Sequence, residues 1–556
     1  MENFKPSFEG PGRNPFETHE QPKYQVFHFD VAYGTAQGKM HDATVVVNPQ
    51  GVIEKVLGKQ DEADAVRDVR DRTKGDFAEH RHEVALPALT DAHNHPIFFG
   101  SALEMSPAFI FGISTPEDLD RAIKGQLKNK PGTQLALGWD TSTMGGLNRE
   151  MLDQIREEPT FAVDMSYHGA VANTAAMRQL EEYLAKTGDL DKLKGHMDKD
   201  GHLYEEFVIA CFELMEQGMD LDGLTKAAED YTAKMRKNGT LYVHDMVIAT
   251  PAQLEVFTAL SEEARRSIRL AHINPRMLRY ATSRGIDVSY FGLKLLADGA
   301  NCSRTALYYE PYAGTELHGL KYHSEDDALE AMQLAADHGI FRVATHAIGD
   351  QGIDTALAFS DLWAQICQEK GIDGMARIEH MSMPTDEAIR RAAKMGLTVC
   401  PQPNFIPDVI PFNDRFDETR LQGMVPLRRM LDSGMRVMLG TDGMPNSMLL
   451  ALHCATEAPF ESQKIKLEEA IHASTATAGE YERANRGKIA VGMPADFLLT
   501  DQSMIDTLTS DQGLYRSSKE NLSGEMDRLA VDLERRVLDV RAAGESIKQT
   551  TPPTSS

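Results

Sequence analysis

Four stretches of this 556-residue chain share one layout: a helix-like run ends at glycine, a short aliphatic or β-branched run follows, and a polar residue closes it. They read MRKNGTLYVHD, AADHGIFRVATH, AAKMGLTVCPQ and LDSGMRVMLGTD. In the second, Ser324 followed by Glu325, Asp326 and Asp327 predicts a helix N-cap with an acidic first turn, and Gly339 supplies the left-handed exit that a helix C-terminus favours. The following IFRVAT is apolar almost throughout, as a parallel strand covered on both faces must be. Four more strand candidates, VALPALTDAH, IRLAHI, FGLKLLAD and ARIEH, bring the count to eight. Helix alternating with parallel strand means α/β, and eight such strands predict a (β/α)8 TIM-type barrel whose C-terminal strand ends converge on one site. An open doubly wound sheet is the rival fold, but no Gly-rich phosphate loop follows the first strand.

Two regions fall outside this pattern and set the expected domain organisation. Residues 100–235, between the first and second barrel strands, exceed any ordinary βα connection and are read as an inserted lid subdomain within a barrel spanning 87–486. The short alternating strands of 23–86 and 487–548 are expected to pair into one small β-sandwich-like domain built from both termini. The flanking 1–22 and 549–556 are polar and rich in Pro, Gly, Ser or Thr, and are expected to be loose tails.

A formal net charge of -26 disfavours nucleic acid and anionic membranes as partners and leaves a small-molecule substrate. A homo-oligomer is compatible with everything in the sequence. Five scattered cysteines without a Cys-x-x-Cys pair suit a reducing compartment, and no apolar stretch is long enough for a bilayer span, so a cytoplasmic location is expected.

The strand ends carry His93, His95, His244, Lys294, His346, His380 and Asp442. Residues i and i+2 of a strand project to one face, so the His-x-His of LPALTDAHNHP can aim two imidazoles at one ion. Alone that motif is equally a pair of buried structural histidines; what raises it is His346, His380 and Asp442 closing three further strands. Lys294 sits inside GLKLL, where a lone ammonium is costly. Either it pairs with Asp298 or another barrel acid, or its neutral amine adds carbon dioxide and becomes a carbamate donor that bridges two metals. His244 and Asp245 read more simply as a packed imidazole and a helix-capping carboxylate. In the insert, Trp139, Asp140 and His168 are candidate substrate contacts, with hydrogen bonding inside the subdomain as the plainer reading of the last two.

Taken together, LPALTDAHNH, GWD, YHGAVANTAA, GTLYVHDM, LKLLADGA, THAIGD, RIEH, GTDGMP and GKIAVGMPADFLLTD resemble, in order and spacing, the YtcJ-like amidohydrolase 3 branch of the amidohydrolase superfamily. The resemblance implies a metal-dependent barrel hydrolase acting on C–N bonds other than peptide bonds. It matches His93, His95, His346 and His380 to the metal histidines, Asp442 to the last-strand aspartate, and Lys294 to a lysine that some members carboxylate. Pro87-Ala88 departs from the usual Pro-Gly, Thr441-Asp442 from the usual Ser-Asp, and 506–534 has no counterpart. The expected cofactor is a divalent metal, zinc foremost, as one ion or two. The expected activity is hydrolysis of an N-acyl, N-formyl or other non-peptide amide by metal-activated water, with Asp442 as catalytic proton acceptor. Deamination of a heterocycle and a metal-free regulatory or binding role are the alternatives.

Overall fold

The computed structural model describes residues 23–105, 108–109, 115–127, 132–139, 146–164, 166–187, 197–198, 200–204, 206–519 and 521–549. Eight parallel strands form one curled sheet in chain order: β1 (Leu89–Asn94), β2 (Thr240–Ile248), β3 (Ile268–Ile273), β4 (Gly292–Leu296), β5 (Arg342–Ala347), β6 (Met375–His380), β7 (Thr398–Cys400) and β8 (Arg436–Val437). The sheet meets itself past the short β8. Ala92 N donates to Leu439 O at 3.0 Å and Asp442 N to His93 O at 2.7 Å, so the two metal-motif strands are joined by backbone bonds. Gly440 permits this approach, because a Cβ there would stand 2.5 Å from the Cβ of His93. The architecture is that of a TIM-type barrel.

Local signals act as read. Ser324 and Asp327 form a reciprocal capping box on the helix Glu325–Asp337, and Gly339 leaves it at φ 80°. VALPALTDAH, expected as one strand, serves two sheets. Phe77–Pro87 pairs with Phe497–Thr500 and Tyr24–Thr35, while β1 starts at Leu89. Pro87 has no N–H for a continuing ladder, and Ala88 N turns to Asp496 O at 3.0 Å.

The second sheet has seven strands in the order Glu545–Gln549, Asp539–Ala542, Phe497–Thr500, Phe77–Pro87, Tyr24–Thr35, Gly38–Val47 and Ile53–Leu57. Phe27, Phe29, Val45, Val47, Phe497 and Leu499 fill one of its faces. Between β1 and β2 lies a five-stranded sheet: His202–Tyr204, Gly169–Ala172, Thr160–Asp164, Gln134–Trp139 and Ala108–Phe109. Leu135, Leu137, Phe161 and Val163 pack on one face, Ala136, Ala162 and Val171 on the other. In the 506–534 region, Thr456 Oγ1 donates to Leu508 O at 2.6 Å, tying the helix Gln502–Leu508 to the barrel helix Met448–Thr456. Among the described residues, no helix is long and apolar enough to cross a membrane.

Glu216 ties the segment between β1 and β2 to the barrel. It ends the helix Glu206–Glu216, accepts from Thr250, the N-cap of Pro251–Ala259, and accepts from Gln253 Nε2 at 2.9 Å. Burial outweighs these bonds and raises its pKa from 4.5 to about 7. The folded chain therefore binds the extra proton between those values, so stability falls as pH rises through that window and the loss is complete above it. Two to three pH units correspond to about 3 kcal/mol. Glu216→Gln, whose amide oxygen can still accept from Gln253 while its NH2 donates to Thr250 Oγ1, is expected to flatten this slope and raise the unfolding midpoint at pH 8 more than at pH 5, as read by thermal denaturation.

Candidate metal centre

The mouth of the barrel gathers the predicted ligands. His93 and His95 leave β1 toward Asp442, whose Oδ1 lies 3.0 Å from His95 Nε2 and 3.5 Å from His93 Nε2. These three residues offer ligand atoms all within 4.8 Å of one another. The His380 ring stands 4.7 Å from that of His93 and 4.4 Å from that of His346. His380 and Asp442 adopt left-handed backbone conformations, φ 63° and 57°, at the ends of β6 and the closing segment. That conformation is costly for residues with a Cβ and is held by the surrounding bonds, a common signature of functional positions.

In each of the three buried candidate-ligand imidazoles one ring nitrogen is fixed by a hydrogen bond. His93 donates Nδ1–H to Glu379 Oε2 at 2.6 Å, His380 donates Nδ1–H to Gln402 Oε1 at 2.6 Å, and His346 donates Nε2–H to Gly299 O at 3.0 Å. The remaining nitrogens keep their lone pairs. Burial, with repulsion from Lys294 and from neighbouring rings, drives all three pKa values well below 6.5, so the rings are neutral donors. Neutral imidazoles, a carboxylate and outer hydrogen-bond acceptors are the donor chemistry of a catalytic divalent-metal site, and the residues present fit such an ion. His95 and Asp442 retain 15% and 14% side-chain exposure, so the site opens on their side.

Lys294 is buried, and desolvation lowers its pKa to about 8 despite the opposing pull of Glu379 and Asp442. Asp298, considered above as its partner, accepts from the backbone N–H groups of Leu307, Ile348 and Gly349 at 2.8–3.0 Å and joins the β4 and β5 loops. His244 is a packed imidazole: it donates to Glu482 at 2.8 Å and accepts from Arg377 at 3.0 Å. Asp245 Oδ2 accepts from Ile97 N at 3.1 Å in the first turn of Pro96–Met105, so it does serve a helix start.

Of the three expected substrate contacts, His168 reaches the site, its ring 5.0 Å from that of His346. Trp139 is buried in the insert's own core with Ala136, Leu147 and Ala162. The reason is local. Gly138 at φ 95° breaks the alternation and the register shifts between Leu137 and Trp139, turning the indole to the face opposite Leu137. Asp140 lies outside the described residues.

Sequence reasoning missed Arg377, Glu379 and Gln402. Both oxygens of Glu379 accept from the fully buried Arg377, which also donates to Ala92 O at 2.7 Å. The available signal was two opposite charges at i and i+2 in a strand predicted to be buried, RIEH, where neither charge is tolerable alone. Cys400 also approaches His93 and Glu379, but burial raises its thiol pKa well above 9 and keeps it a poor ligand.

A family model described as "Amidohydrolase family" matches residues 82–516. The chain belongs to the amidohydrolase family. Putative amidohydrolase YtcJ of Bacillus subtilis is 26% identical over 455 residues, 74% of this chain and 83% of that protein. N-substituted formamide deformylase of Arthrobacter pascens is 23% identical over 473 residues, 77% of this chain and 85% of that protein. Among solved structures, an uncharacterized metal-dependent hydrolase from Pyrococcus furiosus shares the fold with a TM-score of 0.63 at 22% identity, covering 86% of this chain and 99% of that one.

In this amidohydrolase, Gln402→Leu removes the acceptor that orients His380 without stranding a buried ion. Metal affinity is expected to fall about 10–100-fold, as measured by chelator competition with metal analysis, while the metal-free fold is retained.

Proposed function

We propose that this amidohydrolase cleaves a C–N bond other than a peptide bond in a small molecule, with N-acyl and N-formyl amides as the first substrate class. The observation that carries the reading is Asp442 Oδ1 placed 3.0 Å from His95 Nε2 and 3.5 Å from His93 Nε2 on the open side of the site. The relative named as an N-substituted formamide deformylase supports that substrate class. His93, His95, His346, His380 and Asp442 would hold a divalent ion, zinc foremost, as one ion or two. Such an ion supplies Lewis acidity toward a carbonyl oxygen and makes water a better nucleophile near neutral pH.

The chain's own residues do the rest. Asp442 takes a proton from the attacking water and returns it to the departing nitrogen, which leaves poorly as an anion. Lys294, with its pKa drawn toward neutrality, holds a larger share of free amine than an exposed lysine, which supports either a carbamate donor or a cation that balances Glu379 and Asp442. His168 contacts substrate from the segment between β1 and β2, which acts as a lid. The five described cysteines are all free, which supports a reducing, cytoplasmic setting.

Purified, metal-loaded protein incubated with a panel of N-formyl and N-acyl amines is expected to release amine and carboxylate in equal amounts. Ammonia released from heterocycles without amide turnover would instead establish a deaminase. Asp442→Asn is expected to lower kcat by about 10²–10⁴-fold with the unfolding midpoint preserved. His168→Ala is expected to change KM or kcat while metal content, read by elemental analysis, stays at the wild-type level.

A further inference from the structure

Asn94 stands between the two histidines of the His-x-His motif and is fully buried. A carboxamide enclosed there must find its hydrogen-bond partners inside the protein. Along the first strand, Nδ2 donates to Asp91 Oδ2 at 2.8 Å, and Oδ1 accepts from His95 N at 2.7 Å. Across the seam where the sheet meets itself, Nδ2 donates to Thr441 Oγ1 and to Asn446 Oδ1, each at 3.1 Å. From the helix Leu221–Lys237, the Tyr231 hydroxyl donates to Oδ1 at 3.2 Å.

Thr441 and Asn446 lie on either side of Asp442 in the chain. Thr441 Oγ1 donates to Asp91 Oδ2 while accepting from Asn94 Nδ2 and from Gly443 N at 3.0 Å, so the residues just before and just after Asp442 are held through one hydroxyl. Asp442 itself sits at φ 57°, an angle disfavoured for a residue with a Cβ, and that angle sets the direction of its carboxylate. One buried carboxamide therefore grips both halves of the contact at which Asp442 Oδ1 and His95 Nε2 stand 3.0 Å apart: the backbone of His95 and the turn that carries Asp442.

We propose that Asn94 is a positioning residue for the reaction: its carboxamide aligns the Asp442 carboxylate with His95, and so keeps the proton acceptor where the attacking water is deprotonated. The inference rests on the hydrolase reading above. With no exposed surface, Asn94 acts through Thr441, Asn446 and the His95 backbone and not on substrate directly. Its loss therefore falls on the chemical step. A catalytic group displaced by about 1 Å can lose about 10²-fold in rate, whereas the groups that bind the rest of the substrate stay where they are.

The test compares variants of the metal-loaded full chain on N-benzylformamide. Asn94→Leu, which keeps the branched shape and removes all of these bonds, is expected to lower kcat about 10–100-fold with KM within about threefold. Thr441→Val is expected to do the same, and Thr441→Ser, which keeps the hydroxyl, to restore kcat; this pair decides the matter if Asn94→Leu does not fold. Tyr231→Phe, which breaks only the bond to the helix Leu221–Lys237, is expected to keep kcat within about threefold. Wild-type kcat in Asn94→Leu or Thr441→Val, or a loss in Tyr231→Phe as large as theirs, overturns the proposal and leaves the hydrolase reading standing. If the wild-type chain hydrolyses no amide, that reading fails by itself and crystal structures of Asn94→Leu or Thr441→Val decide the role of Asn94. An Asp442 carboxylate displaced by about 1 Å or more from its place beside His95 supports the positioning role, and an unmoved one overturns it.

Discussion

Arg377 and Glu379 form a guanidinium–carboxylate pair fully enclosed inside the barrel, and the metal centre is built on it. Neither charge is tolerable there alone; removing one partner of such a pair typically costs about 3–5 kcal/mol. The pair is satisfied in both directions. Arg377 also reaches Ala92 O and His244, and His244 hands its other nitrogen to Glu482, which Arg486 and Arg269 neutralise. At the upper end Glu379 accepts the hydrogen bond from His93 Nδ1–H. A connected polar chain therefore runs from β2 and the helix Ala476–Glu482 to the first ligand, and it fixes which nitrogen of His93 faces Asp442.

Among the ten described non-glycine residues with positive φ, His380 and Asp442 lie at the candidate metal centre. Asp442 N is bonded to His93 O and Thr441 N to Asp91 Oδ1, so the last aspartate is positioned by the first strand. This explains how a β8 of only two ladder residues still sets a side chain against His93 and His95 at the end of β1.

The segment between β1 and β2 brings its own sheet with a core on either face, and delivers a single turn to the barrel mouth. Such a division lets the barrel carry the candidate metal ligands on rigid strand ends while the added layer brings His168 against His346. The aromatic rings of Phe98 and Phe99, at the start of the helix after β1, are where the two layers meet.

The α/β class, the parallel strand order and the gathering of His93, His95, His346, His380 and Asp442 at one mouth were legible in the sequence because each depends on local pattern: helix, glycine, apolar run, then a polar residue at the strand end. Strand ends on one rim of a barrel must converge, so His93, His95, His346, His380 and Asp442 could be grouped without coordinates. What local pattern cannot encode is the partner of a buried group. Glu379 was passed over because its role comes from His93, 286 residues away in the chain. Trp139 was read as a substrate contact from its place in the insert, whereas the register shift at Gly138 turns its indole into the insert's own core. VALPALTDAH was read as one strand because the break at Pro87 takes its meaning from Asp496, which only the folded chain places beside Ala88. The sequence by itself determined which residues could bind a cation; tertiary structure decided which nitrogen each presents, because orientation follows from hydrogen bonds between strands far apart in sequence.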